Sequence, residues 1–201
     1  MYKVGITGGI GSGKSTICKL FELIGVPIYY ADTRAKILMW KDKTLKSEIK
    51  NVFGAEVYHS NGRINRALLA NKIFSNKELL NTINNLVHPV VHKDTEAWYK
   101  GLESSKAPYA IKEAAIMIES NSHLHLDALI VVTCPVDIRI TRVLKRDKSK
   151  AEDIKRRINN QMSDNERLKH ANYIINNDGT HSVIAQVCTI HQKLVAKSRL
   201  N

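Results

Sequence analysis

The chain of 201 residues is poor in cysteine, proline and aromatic residues, and it has no long apolar run. Its three cysteines, Cys18, Cys134 and Cys188, are scattered and form no C-x-x-C pair. That excludes a disulfide framework and a cysteine zinc site, and it fits a reducing compartment. No stretch approaches the ~20 apolar residues of a membrane span, and the first strand begins by residue 3, so neither a membrane helix nor a secretory leader is expected. The expected location is the cytoplasm. Trp40 and Trp98 read as packing residues rather than base-stacking platforms. Acidic side chains are the scarcer charge: 31 Lys+Arg against 19 Asp+Glu give a net +12, which favours polyanionic partners such as nucleic acid, nucleotides or phosphorylated cofactors. With 43% hydrophobic and 25% charged residues, the composition is that of an ordinary globular protein with room for one α/β core and a smaller insertion.

Against that background one segment is dense in information. Gly8-Gly9-Ile10-Gly11-Ser12-Gly13-Lys14-Ser15 matches G-x-x-x-x-G-K-[ST] in full. Upstream, Lys3–Thr7 reads as a short buried strand. Downstream, Ile17, Leu20, Phe21 and Ile24 fall on one helix face, with Gly25 at the helix end and Pro27 beyond it. Strand, glycine loop and helix thus follow in the order of a phosphate-binding loop. Glycines let the backbone approach a polyphosphate, and freed N–H groups at a helix N-terminus hold the anion. Gly9, Gly11, Ser12, Gly13 and Thr16 belong to this cradle, Lys14 reaches the β- and γ-phosphates, and the Ser15 hydroxyl is a Mg²⁺ ligand. The loop implies ATP or GTP binding.

Four further apolar runs stand out: Pro27–Tyr30, Tyr109–Ile111, Ala128–Cys134 and Tyr173–Ile175. Each is short and unalternating, as strands buried on both faces are. With helical patterns between them they predict a doubly wound parallel sheet of about five strands, with helices on both faces. The stretch from 33 to 105 is too long for a simple crossover. Its helical patterns at Leu45–Phe53, Ala67–Phe74 and Leu79–Val87, and the Asn61-Gly62 turn, predict an inserted helical subdomain. A second insert, 137–170, carries capping boxes at Ser149…Glu152 and Ser163…Glu166. The remaining segments, 1–32, 106–136 and 171–201, make the core.

Ligands of open parallel sheets bind beyond the carboxyl ends of the strands, which selects Asp32, Glu113 and Asn176. Asp32 suits a catalytic base toward an acceptor hydroxyl, or a helix N-cap. Glu113 suits a carboxylate supporting a magnesium site, or an ion pair. Arg139, Arg142 and Arg146 share a helix face opposite Ile140, Val143 and Leu144. On the next helix Arg157 and Gln161 lie one turn apart, with Ile154, Ile158 and Met162 as the buried stripe. Phosphoryl transfer needs cations over the transferring group and a lid that excludes water, so Arg142 and Arg157 are candidates for that work. His88-Pro89 follows an apolar helix face ending at Val87; the proline stops or kinks the helix there, and the imidazole either meets a ligand or simply stands at the helix end.

The combination resembles the dephospho-coenzyme A kinase family over nearly the whole chain. The resembling residues are Gly5 through Thr16, Ala31-Asp32, Phe53-Gly54, Arg66 with Ala67-Leu68, Val87 through Val91, Ile118-Glu119, Arg139 with Arg142 and Arg146, Arg157 with Gln161, and Ile175-Asn176-Asn177. The resemblance implies an adenylate-kinase-like P-loop fold with a helical coenzyme A-binding insert and a helical lid. It implies transfer of the ATP γ-phosphate to the 3′-hydroxyl of dephospho-coenzyme A, with Mg²⁺ accompanying ATP. By the same resemblance Asp32 is the catalytic aspartate. Thr7, Arg66, His88, Pro89, Glu113 and Arg157 belong with the acceptor, Arg142 with the phosphates, and Asn176 with the adenine pocket.

Three positions depart from the family pattern: Tyr30 replaces a usual aspartate, Asn65 replaces an acidic residue before Arg66, and Ala115-Ile116-Met117-Ile118 replaces Pro-Leu-Leu. A nucleoside monophosphate kinase would share core and lid but not the large insert. A GTPase needs an Asn/Thr-Lys-x-Asp motif, and Asn71-Lys72-Ile73-Phe74 fails it. A nucleic-acid-binding ATPase is the other reading of the positive charge, but a stacking platform or basic tail is not evident. No nucleic-acid or membrane partner is expected, and oligomeric state is left open.

Overall fold

A computed structural model describes residues 1–74, 76–147 and 150–200, residue 74 through its backbone alone. The chain divides into two compact units, Met1–Tyr30 with Leu102–Asn201, and Ala31–Gly101.

The first unit is built on five parallel strands, β1 (Tyr2–Thr7), β2 (Ile28–Tyr30), β3 (Tyr109–Glu113), β4 (Ala128–Thr133) and β5 (Tyr173–Asn176), in the order β2-β3-β1-β4-β5. The central strand β1 pairs Ile6 with Glu113 on one side and with Ile130 on the other. Alternate residues Val4, Ile6, Tyr109, Ile111, Ile130, Val132 and Ile175 form one core with α1 (Lys14–Leu23) and α9 (Val183–Ser198), through Ile17, Cys18, Phe21, Val187, Ile190 and Leu194. On the other face a Cβ on Gly5 would meet Met117 and Leu126 side-chain atoms at 2.5 and 2.6 Å, so that glycine makes room for the 114–126 segment. Not every strand is buried on both faces as its sequence predicts. β5 is an edge strand, with Ile175 buried and Ile174 47% exposed. Its outer end is closed by a side chain: the Asn176 N–H donates to Gln186 Oε1 at 2.8 Å, and Gln186 Nε2 donates to the Asn176 carbonyl at 3.0 Å.

Helix α1 ends as its glycine predicts. Gly25 has φ 85°, its N–H reaches the Glu22 carbonyl, and the Val26 N–H reaches that of Phe21. These paired bonds are a Schellman cap. Ile24 lies at the C-cap and is exposed, and Cys18 takes the place expected for it on the buried face.

Residues 137–170 fall inside the first unit and hold α6 (Val136–Arg146), α7 (Ala151–Asn159) and α8 (Asp164–Leu168). Three details differ from expectation. In α6 the buried residues are Arg139 and Val143, and Leu144 is exposed, because the arginine side of the helix is the one that carries bonding partners. Helix α7 stops at Asn159, leaving Gln161 beyond its end, with Ile154 as its one buried residue. Ser163 does cap α8, accepting from the Glu166 N–H at 3.2 Å, while the Glu166 carboxylate turns to Lys169 instead of completing the box. The box expected at Ser149 lies outside the described residues.

The second unit contains α2 (Ala31–Lys41), α3 (Lys43–Phe53), α4 (Arg66–Phe74) and α5 (Lys77–Gly101). The turn predicted at Asn61-Gly62 is present: Gly62 has φ 77° and donates to the His59 carbonyl, under an antiparallel bridge between Tyr58 and Ile64. At His88-Pro89, where a stop or a kink is expected, the helix does not stop. Helix α5 continues through Pro89, carried by the buried stripe Ile83, Val87, Val91, Thr95 and Tyr99 at four-residue spacing on both sides of the proline. Among the described residues no helix is long and apolar enough to cross a membrane.

Candidate active site

The phosphate loop leaves β1 and enters α1 at Gly13, whose φ of 93° is a backbone conformation that glycine adopts without cost. Its carbonyls are engaged one after another by protein donors. Lys14 Nζ donates to the Gly8 carbonyl at 2.8 Å, the Ser12 N–H to Gly9 at 3.1 Å, Arg139 Nε to Ile10 at 2.8 Å and Asn177 Nδ2 to Ser12 at 2.8 Å. The Ile10 N–H is held as well, by Gln161 Oε1 at 2.8 Å. Lys14 apart, three carbonyl dipoles that would repel a phosphate, those of Gly9, Ile10 and Ser12, are therefore engaged by other protein donors, which favours an anion-binding loop. Close packing accounts for the glycines: a Cβ on Gly9 would lie 2.2 Å from Arg139 Nη2, and one on Gly13 2.1 Å from Asn177 Nδ2. Ser12 is buried, and its hydroxyl has no hydrogen-bond partner. Ser15 and Thr16 are exposed on the first turn of α1.

Arg142 stands beside the loop. Its Nη1 donates to Cys134 Sγ at 3.3 Å and its Nη2 to Asn177 Oδ1 at 3.3 Å. Behind it lies a buried charge chain. Arg139, 3% exposed, pairs with Asp164 at 3.1 Å, and Asp164 also holds the fully buried Arg167, 3.8 Å from Glu119. Arg167 Nη2 also donates to the Met162 carbonyl at 2.8 Å. Arg157 is exposed on α7, within electrostatic reach of Asp147.

The other predicted residues sit as follows. Asn176 points its side chain to Thr133, whose hydroxyl donates to Asn176 Oδ1 at 2.8 Å; its neighbour Asn177 is the residue on the loop. Thr7 is fully buried and donates to the Ala115 carbonyl at 3.4 Å. Glu113 is the last residue of β3 rather than a position beyond it, and it is buried. Its charge reaches Cys18, whose thiol is pushed up chiefly by burial and then by Glu113 and Glu22. Tyr30, where the family has an aspartate, is half-buried; burial, then the negative charge of neighbouring groups and a hydrogen bond to Glu22, raises its phenol. Among the described residues no group of three or more His, Cys, Asp or Glu side chains is placed to hold a metal ion.

Within the second unit, Asp32 is exposed in the first turn of α2, two residues past the end of β2. It is a helix residue and not the cap. Arg66 opens α4, where Asn65 is the cap: its Oδ1 accepts from the Leu68 N–H at 3.1 Å. An asparagine does this as well as an aspartate, which accounts for that departure. Arg66 lines a cleft of about 560 Å³ together with Lys36, Trp40, His59 and Arg63. The Arg63 guanidinium lies 5.1 Å from the Trp40 ring centre, so Trp40 packs against cations at the rim of this basic cleft. His88 is half-buried and Pro89 exposed on α5.

Sequence reasoning did not assign site roles to Asn177, Arg139, Gln161, Asp164 or Arg167. The available signals were weak: Asn177 follows the selected strand end, and Asp164 and Arg167 stand three apart just after a predicted cap.

The dephospho-CoA kinase family profile matches residues 2–182. A Bacteroides fragilis dephospho-CoA kinase is 37% identical over 187 residues, spanning 92% of this chain and 89% of the relative. One from Mannheimia succiniciproducens is 38% identical over 177 residues, spanning 88% and 81%. Among solved structures, the dephospho-CoA kinase from Campylobacter jejuni superposes with a TM-score of 0.70 at 25% identity, covering 98% of each chain. A Thermus thermophilus protein gives 0.82 at 28% identity, covering 96% of each. With this phosphate loop, this sheet order and matches over almost its full length, the chain belongs to the dephospho-CoA kinase family.

Proposed function

We propose that Lys14, Arg142 and Asp32 carry the family reaction in this chain, the transfer of the ATP γ-phosphate to the 3′-hydroxyl of dephospho-CoA to give CoA and ADP. The observation that carries the donor half is the set of loop carbonyls turned onto protein donors, beside Lys14 and Arg142. Phosphoryl transfer asks a protein mainly for positioning and charge stabilisation. Lys14, at the head of α1, exchanges the Gly8 carbonyl for the β- and γ-phosphates. Arg142 stabilises charge on the transferring group, and Asn177 and Cys134 fix its direction. Asp32 accepts the proton of the acceptor hydroxyl as the bond to phosphorus forms. Gly9, Gly11, Ser12, Gly13 and Thr16 cradle the nucleotide.

Mg²⁺ fits this site as a companion of ATP rather than a resident ion. The described residues offer no carboxylate cage, while Mg²⁺ carried by phosphates needs as little as one protein oxygen, which the exposed Ser15 hydroxyl would supply. When bound, the ion would neutralise charge that develops on the phosphates. The cleft bearing Lys36, Arg63 and Arg66 supports acceptor binding in the second unit, since a nucleotide-bearing acceptor carries the phosphates those cations attract. Asn176, Thr7, His88, Pro89, Glu113 and Arg157 retain the roles assigned by resemblance, the first toward adenine and the rest toward the acceptor. A cytoplasmic setting fits the substrates and the three free cysteines.

The test is ADP release from MgATP with dephospho-CoA, with AMP, with adenosine and with no acceptor. Release that depends on dephospho-CoA is expected; equal release with AMP would mean a broader nucleotide kinase. Asp32→Asn should lower kcat by ~10²–10⁴-fold, the usual worth of a general base, with ATP affinity unchanged. Full activity in that variant would remove Asp32 from the mechanism.

A further inference from the structure

The two backbone polar groups of one residue, Ile10, which belong to the successive peptides on either side of its Cα, are held by side chains about 130 and 150 residues away. Gln161 Oε1 accepts its N–H at 2.8 Å, and Arg139 Nε donates to its carbonyl at 2.8 Å. Both clamps come from the 137–170 segment, one from the buried side of α6 and one from the short link between α7 and α8. That link is itself fastened at both ends. The Gln161 N–H donates to the Ile158 carbonyl at 3.1 Å, and Arg167 Nη2 takes the Met162 carbonyl at 2.8 Å. Arg139 is held in turn by Asp164 at 3.1 Å, and its guanidinium lies so close against Gly9 that a Cβ there would strike it.

We infer that Gln161 is a positioning residue for nucleotide binding, and that it acts with Arg139 by fixing the two successive peptides that flank Ile10 in the phosphate loop. The inference rests on the loop holding ATP, as proposed above. A free peptide at this point can rotate and present its carbonyl to the phosphates. A clamped one cannot, and the loop meets the anion with its amides already arranged. The same two bonds tie the segment that carries Arg142 to the loop, so ordering of that segment and nucleotide affinity are coupled. Because the clamp serves substrate and transition state alike, its loss should appear in nucleotide affinity and spare the chemical step.

The experiment titrates MgADP calorimetrically into the wild type, Gln161→Ala, Arg139→Lys and the double variant, with kcat and KM for ATP measured on each. Lysine at 139 keeps the charge facing Asp164 and loses the Nε–H that serves Ile10. Each single variant should weaken MgADP and raise KM for ATP by about three- to tenfold, the worth of one hydrogen bond, with kcat within about twofold. The double variant should weaken binding less than the two single effects combined, because both changes loosen the backbone at the same residue. Thermal melting of each apo variant checks folding, and Gln161→Ala removes no buried charge, so it remains interpretable if Arg139→Lys folds poorly. MgADP affinity in Gln161→Ala within twofold of wild type would overturn the inference, as would a fall in kcat with affinity intact. A wild type that binds MgADP tightly without phosphorylating dephospho-CoA would instead overturn the functional reading and leave the clamp standing.

Discussion

Asn177 closes the phosphate loop from the far edge of the sheet: its Nδ2 donates to the Ser12 carbonyl at 2.8 Å while its Oδ1 accepts from Arg142. One amide thus serves two partners with opposite needs, an acceptor on the loop and a cation beside it. Asn177→Ala should weaken MgATP binding about three- to tenfold through the lost bond to Ser12. Asn177→Asp keeps an acceptor for Arg142 but has no donor for Ser12, and its charge ties the arginine down, so kcat should fall as well. Steady-state kinetics on the two variants separate these effects.

Gly13 and Gly25 have similar positive φ, 93° and 85°, in different surroundings. A Cβ at 13 strikes the Asn177 amide, whereas a Cβ at 25 meets nothing within 4 Å. Gly25→Ala should therefore cost only the left-handed backbone term, roughly 1–2 kcal/mol in denaturant unfolding, with activity kept. Gly13→Ala should show that cost and lose nucleotide binding, read by MgADP titration.

Asp164 is shared by two buried guanidiniums, Arg139 and Arg167. Removing one partner of a buried ion pair leaves an uncompensated charge, typically worth 3–5 kcal/mol. Asp164→Ala should cost about 3 kcal/mol, near the lower figure because Glu119 still faces Arg167 at 3.8 Å. Urea unfolding of this variant beside Lys169→Ala, whose partner Glu166 is exposed, makes the comparison.

Asn65→Ala should cost about 1 kcal/mol through loss of the α4 cap, and Asn65→Asp should be neutral or slightly stabilising, since a carboxylate caps equally well and favours the helix N-terminus. Thermal melts of the two variants test this.

His191 Nδ1 lies 2.8 Å from the Tyr109 hydroxyl, and burial lowers the histidine below its usual value of 6.5. A group whose folded value is depressed contributes stability above its unfolded value and loses it as pH falls through the folded one. The melting temperature should therefore drop as pH is lowered below about 6.5, and His191→Gln should flatten that part of the profile.

What could be read along the sequence was what is contiguous. Lys3 to Gly25 specify a strand, a phosphate loop, a helix and a Schellman cap through neighbours in the chain, and the structure keeps all four. Contacts made across the fold were not legible. Gln161 was placed on a helix by its spacing from Arg157, yet its bond to Ile10 spans 151 positions and depends on α7 ending two residues earlier. Arg139 shares with Arg142 and Arg146 the helix face opposite the expected apolar one, and only the packed loop shows why a cation is buried there. At Pro89 a local rule was overridden by packing, since the buried stripe of α5 holds the helix together across a residue that lacks an N–H. Asn176 was selected over Asn177 because a strand end can be located only to within a residue or so.

Eight letters carry the recognisable motif, but the shape they take is written elsewhere. Of the protein groups that hold the loop from outside it, Arg139, Gln161 and Asn177 all lie in the last third of the chain, which also supplies Arg142. The octapeptide is therefore portable as a word and not as a device. Grafted onto another strand and helix it would keep its glycines and its lysine, and it would lose the outside groups that tell its carbonyls which way to face.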